Sequence, residues 1–349
     1  MILEVATGRP VYNLDLGMCG ADDGAPSSAD LALQFDLPVL VTIDASAMAQ
    51  TFSAIAAGLL SYNLALKPAG VIANKLGSVG HGKLLQEALP KHLSWFGALL
   101  KEDAFTLPER HLGLHRAAEI KDLEAKIEAA AKALRDSSDL PLPPLVTFNP
   151  PAQAALPQLL AGRTIAIARD AAFCFIYPAN VDCLQAMGAT LIYFSPIADN
   201  NLPEAHGYWL PGGYPELHLA DLKQNTRMKA GLKAALEAGK PILAECGGMM
   251  ALGETLNGEA AFGLLAGHST IEPKLQGLGT QTLATAHGTL AAHTFHYGKF
   301  ETSLSVAHQA TSQYGSGEAV YRQRGITASF LHFYFPSNPA ASAAIFLAK

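Results

Sequence analysis

The sequence predicts an α/β protein of two domains, each built on a mainly parallel sheet covered by helices. Three observations carry this. Short apolar runs alternate with segments of helical periodicity, the rhythm of strand–helix–strand units. A Pro- and Ser-rich stretch near the middle separates two such series. The length, 349 residues, suits two domains of ordinary size.

In the first half, residues 38–44 (Pro-Val-Leu-Val-Thr-Ile-Asp) read as a buried strand, followed by an Ala-rich helix over 48–62. A second strand over 69–74, a helix over 81–88 and a third strand over 95–100 follow. The stretch 117–134, with Ala, Glu and Lys at helical spacing, closes this half. The linker begins at Asp136-Ser-Ser-Asp-Leu-Pro-Leu-Pro-Pro144 and continues to about Gly162. The expected division is therefore a domain over 1–135, a linker over 136–161 and a domain over 162–349. In the second half, strands are expected over 164–168, 190–194, 207–210 and 241–245, with helices over 178–187 and 220–238. The remainder, including 294–297 and 327–335, is more β-like.

The net charge of −6 is spread along the chain without a Lys/Arg cluster, which argues against nucleic acid or an anionic membrane surface as partner. No apolar run approaches the ~18 residues of a membrane span, and the N-terminus lacks the charged and apolar regions of a secretory signal. Four cysteines (Cys19, Cys174, Cys183, Cys246) make neither a disulfide framework nor a CxxC pair. The expectation is a cytoplasmic, reduced protein.

The strongest chemical signal is Pro241-Ile-Leu-Ala-Glu-Cys-Gly-Gly-Met-Met250. An apolar strand ends at Cys246, two glycines follow and a helical segment begins, the context of a nucleophile elbow. A Cys at a helix N-terminus also has its thiolate favoured by the dipole and free N–H groups. Taken alone, the segment fits a buried, inert cysteine equally well. A second strand, Tyr208-Trp-Leu-Pro-Gly-Gly-Tyr-Pro-Glu216, ends in Gly212 and Gly213 one strand–helix unit earlier. Backbone N–H groups there could form one side of an oxyanion hole, with that of Gly247 as the other. His332, in Ala328-Ser-Phe-Leu-His-Phe-Tyr-Phe335, would by default be a core histidine. It gains meaning as the base that a Cys nucleophile needs.

Together Leu210-Pro-Gly-Gly-Tyr-Pro-Glu216, Ala244-Glu-Cys-Gly-Gly248 and Ser329-Phe-Leu-His332 with Ser337-Asn-Pro339 resemble the glutaminase domain of cobyrinic acid a,c-diamide synthases. Ala168-Arg-Asp-Ala-Ala-Phe-Cys-Phe-Ile-Tyr-Pro178 and Phe295-His-Tyr-Gly-Lys-Phe300 are similar to the same family. So is the first half, in Ala6-Thr-Gly-Arg-Pro10, Asn13-Leu-Asp15, Asp23-Gly-Ala-Pro-Ser-Ser-Ala-Asp30 and Leu107-Pro-Glu-Arg-His-Leu-Gly-Leu114.

The resemblance implies a class-I-type glutamine amidotransferase domain behind a phosphate-loop-NTPase-like, dethiobiotin-synthetase-like domain, working in cobalamin biosynthesis. Its substrates would be glutamine and a corrinoid, cobyrinate or hydrogenobyrinate, whose a and c carboxylates are activated with ATP and Mg²⁺ and amidated by the released ammonia. Carried over by motif, Cys246 is the nucleophile and His332 its base. No acidic third member is implied, and Glu245 is read as structural. Asp23 matches an acidic residue near the metal and the reacting carboxylate. Ser27 and Ser28 lie in a loop suited to a substrate carboxylate, and Asn74 at a strand end where related folds read adenine. Turn, cap and strand-end roles are equally open for these four. The resemblance also admits a homodimer.

The chain departs from the family in its first half. Family members open with Gly-x4-Gly-Lys-Ser/Thr, which these 349 residues do not contain. A helix and a strand bearing a second acidic residue are expected before Asp23 and are missing between Met18 and Asp22. The near match Gly77-Ser-Val-Gly-His-Gly-Lys-Leu84 has Leu84 where a Ser or Thr hydroxyl would bind Mg²⁺, and reads as an ordinary helix start. Impaired amidation is therefore expected. The alternatives are a glutaminase-only protein, an incomplete gene product, or a corrinoid-binding scaffold without chemistry.

Overall fold

A computed structural model describes residues 2–12, 14–15, 18, 27–108, 117–139, 142–149 and 155–347. The chain divides into two compact units, one of residues 1–11 with 24–151, the other of 12–23 with 152–349. The division at 151/152 lies inside the expected linker. Tyr12, Leu14, Asp15 and Met18 group with the second unit although in sequence they lie between the two stretches of the first.

In the first unit, α1 (Ile2–Thr7) and α2 (Ser28–Gln34) precede a parallel sheet of order β1-β2-β3 among the described residues. Its strands are β1 (Pro38–Asp44), β2 (Lys67–Leu76) and β3 (Trp95–Leu100), with α3 (Thr51–Ser61), α4 (Val79–Ala88) and α5 (Leu123–Ser137) packed around them. Ile43, Phe52, Ala56, Val71, Ala73 and Leu85 form its core. The expected helix over 117–134 is interrupted. A single 3-10 turn occupies 117–119, and α5 starts only after Asp122, whose φ of 54° is left-handed. The α5 helix also runs to Ser137, into the expected linker.

The second unit carries β4 (Thr164–Ala168), α6 (Pro178–Ala186), β5 (Thr190–Phe194), β6 (Gly207–Leu210), α7 (Leu219–Gln224), α8 (Thr226–Glu237), β7 (Ile242–Glu245) and α9 (Gly247–Leu252). After these come β8 (Thr255–Leu256), β9 (Glu259–Ala260), β10 (His268–Ile271), β11 (Gly277–Thr285), β12 (Gly288–His296), β13 (Gly298–Glu301), β14 (Val306–Ser312), β15 (Gly315–Gln323), β16 (Ile326–Ser329), β17 (His332–Phe333) and α10 (Pro339–Phe346). Ten described strands make one mixed sheet, β17-β12-β11-β14-β15-β16-β7-β6-β4-β5. The run from β16 to β5 is parallel, and the rest pairs antiparallel.

Alternation explains why the parallel strands read as unbroken apolar runs, because both sheet faces are covered. Ala166, Tyr208, Leu210, Ile242 and Ala244 enter one core layer, while Ile165, Ile167, Trp209 and Leu243 enter the other. The single helix expected over 220–238 is two helices. Asn225 separates them: its side-chain oxygen caps α8 at Met228 N (3.1 Å) and its amide donates to Pro196 and Asp199 carbonyls. Among the described residues no helix is long and apolar enough to cross a membrane, and no disulfide joins Cys174, Cys183 or Cys246.

Candidate active site

Cys246 stands between β7 and α9 with φ 45° and ψ −107°. A non-glycine residue in this region is strained, and the surroundings must hold it there. They do so from both sides. Cys246 N–H donates to Ser329 O on β16 (2.7 Å), and Met250 N–H donates to Cys246 O to start α9 (3.0 Å). All six residues of α9 are buried, so the turn cannot relax outward.

The glycines around it are required by close backbone approach. A Cβ on Gly247 would meet Gly213 N at 2.8 Å and Gly213 O at 2.9 Å, so the two Gly-Gly turns abut directly. A Cβ on Gly248 would lie 2.1 Å from Leu210 O, and one on Gly213 would lie 2.1 Å from Ala172 O. On Gly212 it would fall 2.3 Å from Cε1 of His332. Four separate stretches, around residues 172, 212, 246 and 332, therefore converge on one point. The loop at 172 is braced by Asp170, whose carboxylate accepts from Ala172 N (2.8 Å), Phe173 N (3.1 Å), Ser195 Oγ (2.9 Å) and Ile197 N (2.9 Å).

His332 lies on β17, with its ring against Phe175 and Tyr177 at centroid distances of 6.0 and 6.4 Å. Its strand is clamped at the next residue. Phe333 N–H donates to Glu245 Oε1 (2.9 Å), and Trp209 Nε1–H donates to Glu245 Oε2 (2.8 Å). Asn180 on α6 donates to Phe333 O (2.7 Å) and accepts from Phe335 N (2.8 Å). Glu245, adjacent to Cys246, thus fixes the backbone adjacent to His332. Sequence reasoning gave Glu245 a structural role and did not single out Asn180, a buried Asn in the first turn of a helix.

Burial dominates the electrostatics. It pushes the Cys246 thiol up to about 12, opposed by the Gly247 N–H and reinforced by Glu216, Glu245 and Glu318. The helix-end stabilisation expected for the thiolate is present in that N–H but is outweighed by desolvation. Burial likewise lowers His332 to about 3, with His293 and His296 adding to the effect. It raises Glu245 to about 8 against its two hydrogen bonds. The resting pair is therefore neutral thiol and neutral imidazole. His296, another histidine of this region, is committed elsewhere. Its Nδ1 faces Gly298 O (2.8 Å), its Nε2 faces Glu318 Oε1 (2.9 Å), and its ring stacks on Phe330 at 3.8 Å.

The first-half candidates do not assemble in this way. Asp23 lies outside the described residues, as do Asn13 and residues 109–114 of the motifs noted above. Ser27 is the N-cap of α2 and accepts from Asp30 N (3.1 Å), and Ser28 is the first helical residue. Asn74, expected at a strand end, lies within β2 two residues before its last, opposite Asp44, and its side-chain oxygen accepts from Lys75 N (2.9 Å). Lys75 pairs with Asp44 (3.0 Å) and holds that carboxyl down at about 2. The near match at 77–84 is a helix start. Ser78 caps α4 at His81 N, and Gly82 packs against Leu76 and Ala98. The described residues of this unit thus offer no Gly-rich cradle for a triphosphate. Nor, among described residues, do three or more His, Cys, Asp or Glu gather as they would around a metal. They do not fit Mg-ATP.

The glutamine amidotransferase domain described as CobB/CobQ-like matches residues 164–340. A hydrogenobyrinate a,c-diamide synthase of Stutzerimonas stutzeri is 46% identical over 377 residues, covering 99% of this chain and 88% of that protein. The chain belongs to the a,c-diamide synthase family. A Pseudomonas aeruginosa hydrogenobyrinate a,c-diamide synthase is 43% identical (99% and 87% covered), and a Herminiimonas arsenicoxydans cobyrinate a,c-diamide synthase is 41% identical (99% and 86% covered). Family membership fixes the fold class as expected, with a parallel-sheet unit followed by a glutamine amidotransferase domain. Since the first alignment spans 377 positions and the chain has 349 residues, at least 28 positions of that relative (377 − 349) face no residue here.

Proposed function

We propose that the second unit hydrolyses glutamine through a cysteinyl thioester, and that the ammonia serves amidation of the a and c carboxylates of a cobyrinate or hydrogenobyrinate. The strained Cys246 beside the abutting Gly213 and Gly247 turns, with His332 against Gly212, carries the first part. The names of the relatives carry the second.

In this reading His332 takes the Sγ proton as Sγ attacks the carboxamide carbon of glutamine. The carbonyl π electrons move to oxygen, which the N–H groups of Gly213 and Gly247 receive. The C–N bond then breaks, His332 returns the proton to the leaving nitrogen, and ammonia departs from a thioester. Water, deprotonated by the same imidazole, cleaves the thioester to glutamate. A thiol held near 12 and an imidazole near 3 would not exchange a proton at rest. Bound glutamine must bring the reacting dipole and oxyanion that make the ion pair favourable, which confines turnover to the occupied site.

The test is glutamate release by the purified chain and by Cys246→Ser, followed by mass spectrometry of hydrogenobyrinic acid incubated with glutamine and Mg-ATP. Wild-type turnover lost in Cys246→Ser, with acid-to-amide conversion of the corrinoid, is the expected result. Turnover retained in Cys246→Ser overturns the assignment. A specific observation favours a second, glutaminase-only reading: the first unit lacks a phosphate cradle among its described residues. Glutamate release without corrinoid amidation would select it.

A further inference from the structure

The antiparallel part of the large sheet places three polar residues in one row across three strands. Thr280 on β11 is directly opposite His293 on β12, and His293 is directly opposite His332 on β17. Directly opposed residues share a sheet face, with Cβ atoms about 4.5–5.5 Å apart. Beyond Thr280 stands Asp15, whose two carboxylate oxygens each accept from Thr280 Oγ1 at 3.3 Å. Asp15 is itself held by Met18 N–H, which donates to Oδ1 at 2.9 Å. The row is thus Asp15, Thr280, His293 and His332, with the carboxylate at one end and the proposed base at the other.

His293 and His296 act electrostatically on the imidazole of His332, Tyr177 packs on its ring, and Glu245 holds the adjacent Phe333 N–H. Tyr177 is a ring contact, His296 is committed to Gly298 and Glu318, and Glu245 is saturated by Trp209 and Phe333 N–H. His293 remains. Burial lowers its proton affinity while Asp15 raises it, and a charge on His293 lowers that of His332, so it is the neutral His293 ring that can accept from an imidazolium there.

We propose that His293 and Asp15 are positioning residues for His332, Asp15 orienting the His293 ring so that it supports the imidazolium formed when Cys246 loses its proton. This rests on the glutaminase reading above. No bond beyond those of that reading is made or broken. The proton moves from Sγ to one nitrogen of His332, whose other N–H is then stabilised by the His293 lone pair, and Asp15 balances the charge. The carboxylate comes from the segment around residue 15, far in sequence from the amidotransferase motifs, which explains why those motifs contain no acidic partner for the base.

The experiment measures glutaminase kcat, KM and pH profile, with melting temperature, for the full chain and for Cys246→Ser, His293→Ala, Asp15→Asn, Asp15→Glu and the double variant Asp15→Asn/His293→Ala. Asp15 is only half-buried, so Asp15→Asn remains informative if His293→Ala folds poorly. Each single variant should lower kcat by about tenfold or more, below the ~10⁴ of an orienting carboxylate in direct contact with the base. KM and melting temperature should stay near wild type, and Asp15→Asn should move the acid limb of the kcat profile. Asp15→Glu should recover part of the rate. The double variant should be no slower than the slower single one, since both act through one ring. Wild-type kcat and pH profile in both single variants, with Cys246→Ser inactive, overturn this inference and leave the glutaminase reading intact. Losses that multiply in the double variant and track melting temperature also overturn it. An inactive wild type, or an active Cys246→Ser, overturns both.

Discussion

Adding one methyl group at Gly212 probes the site where it is tightest. The φ of Gly212 lies outside the left-handed region, so alanine is allowed by the backbone, but its Cβ would lie 2.3 Å from His332 Cε1 and 3.1 Å from Phe175 Cδ2. Ordinary contact begins near 3.4 Å, so the imidazole would have to retreat by 1.1 Å, the difference between 3.4 and 2.3 Å. The ring has little room to do so. Phe175 and Tyr177 pack on it, and the backbone beside it is tied to Glu245 and Asn180. A displacement of about 1 Å of a reacting group costs on the order of 10²-fold in rate, and overpacking of this kind costs about 1–3 kcal/mol of stability. Gly212→Ala should therefore lower glutaminase kcat about 10²-fold in a coupled glutamate assay, with a modest fall in melting temperature. Gly58→Ala, where nothing lies within 4 Å of the new Cβ, is the control and should leave turnover unchanged. A Gly212→Ala protein with wild-type kcat would mean that the His332 ring is not needed where the structure holds it.

His332→Ala should slow glutamate release by ~10²–10⁴-fold, the range for a lost general base, whereas His296→Ala should act through stability because its ring is hydrogen-bonded and stacked; equal kinetic losses with equal melting temperatures would contradict that division. Glu245→Gln sets an NH₂ group against either Trp209 N–H or Phe333 N–H, and should cost about 1–3 kcal/mol by chemical denaturation near pH 6. The pH dependence follows in sign from the two shifts. Glu245 is raised from 4.5 to about 8, so the folded state binds the extra proton, and its contribution is full below pH 4.5 and lost as pH rises through 8. His332 is lowered from 6.5 to about 3, so its contribution is present above pH 6.5 and lost as pH falls towards 3. The gap between wild type and Glu245→Gln should hence narrow from pH 6 to pH 9, and a constant gap would refute the protonated Glu245. Titration calorimetry with a non-hydrolysable ATP analogue should find weak binding to the 349-residue chain, which contains no Gly-x4-Gly-Lys-Ser/Thr; micromolar affinity would show that a phosphate site lies elsewhere.

Apolar runs revealed the parallel strands, because a strand buried on both faces is apolar along most of its length, as β6 is throughout and β4 and β7 are apart from Thr164 and Glu245. Cys246 was legible because strand, Cys, Gly-Gly and helix follow one another without a gap. Other features depend on one side chain's choice between local and distant partners. Asn225 splits a region of continuous helical pattern by capping α8 and bonding two distant carbonyls. Asp122 breaks another by adopting a left-handed φ. The row from Asp15 to His332 depends on strand register, and a one-residue slip would send every side chain to the other face. Two-residue β17 carries no pattern from which that register could be read.

The central claim is that Cys246 is the glutamine-attacking nucleophile, and covalent labelling tests it most directly. A diazoketone analogue of glutamine should alkylate the thiolate formed in the occupied site. Peptide mass spectrometry should then find the adduct on Cys246, suppressed by excess glutamine and slowed in His332→Ala. Loss of glutaminase activity with the label on Cys174 or Cys183 instead, or an inhibited enzyme with Cys246 unmodified, would contradict the account.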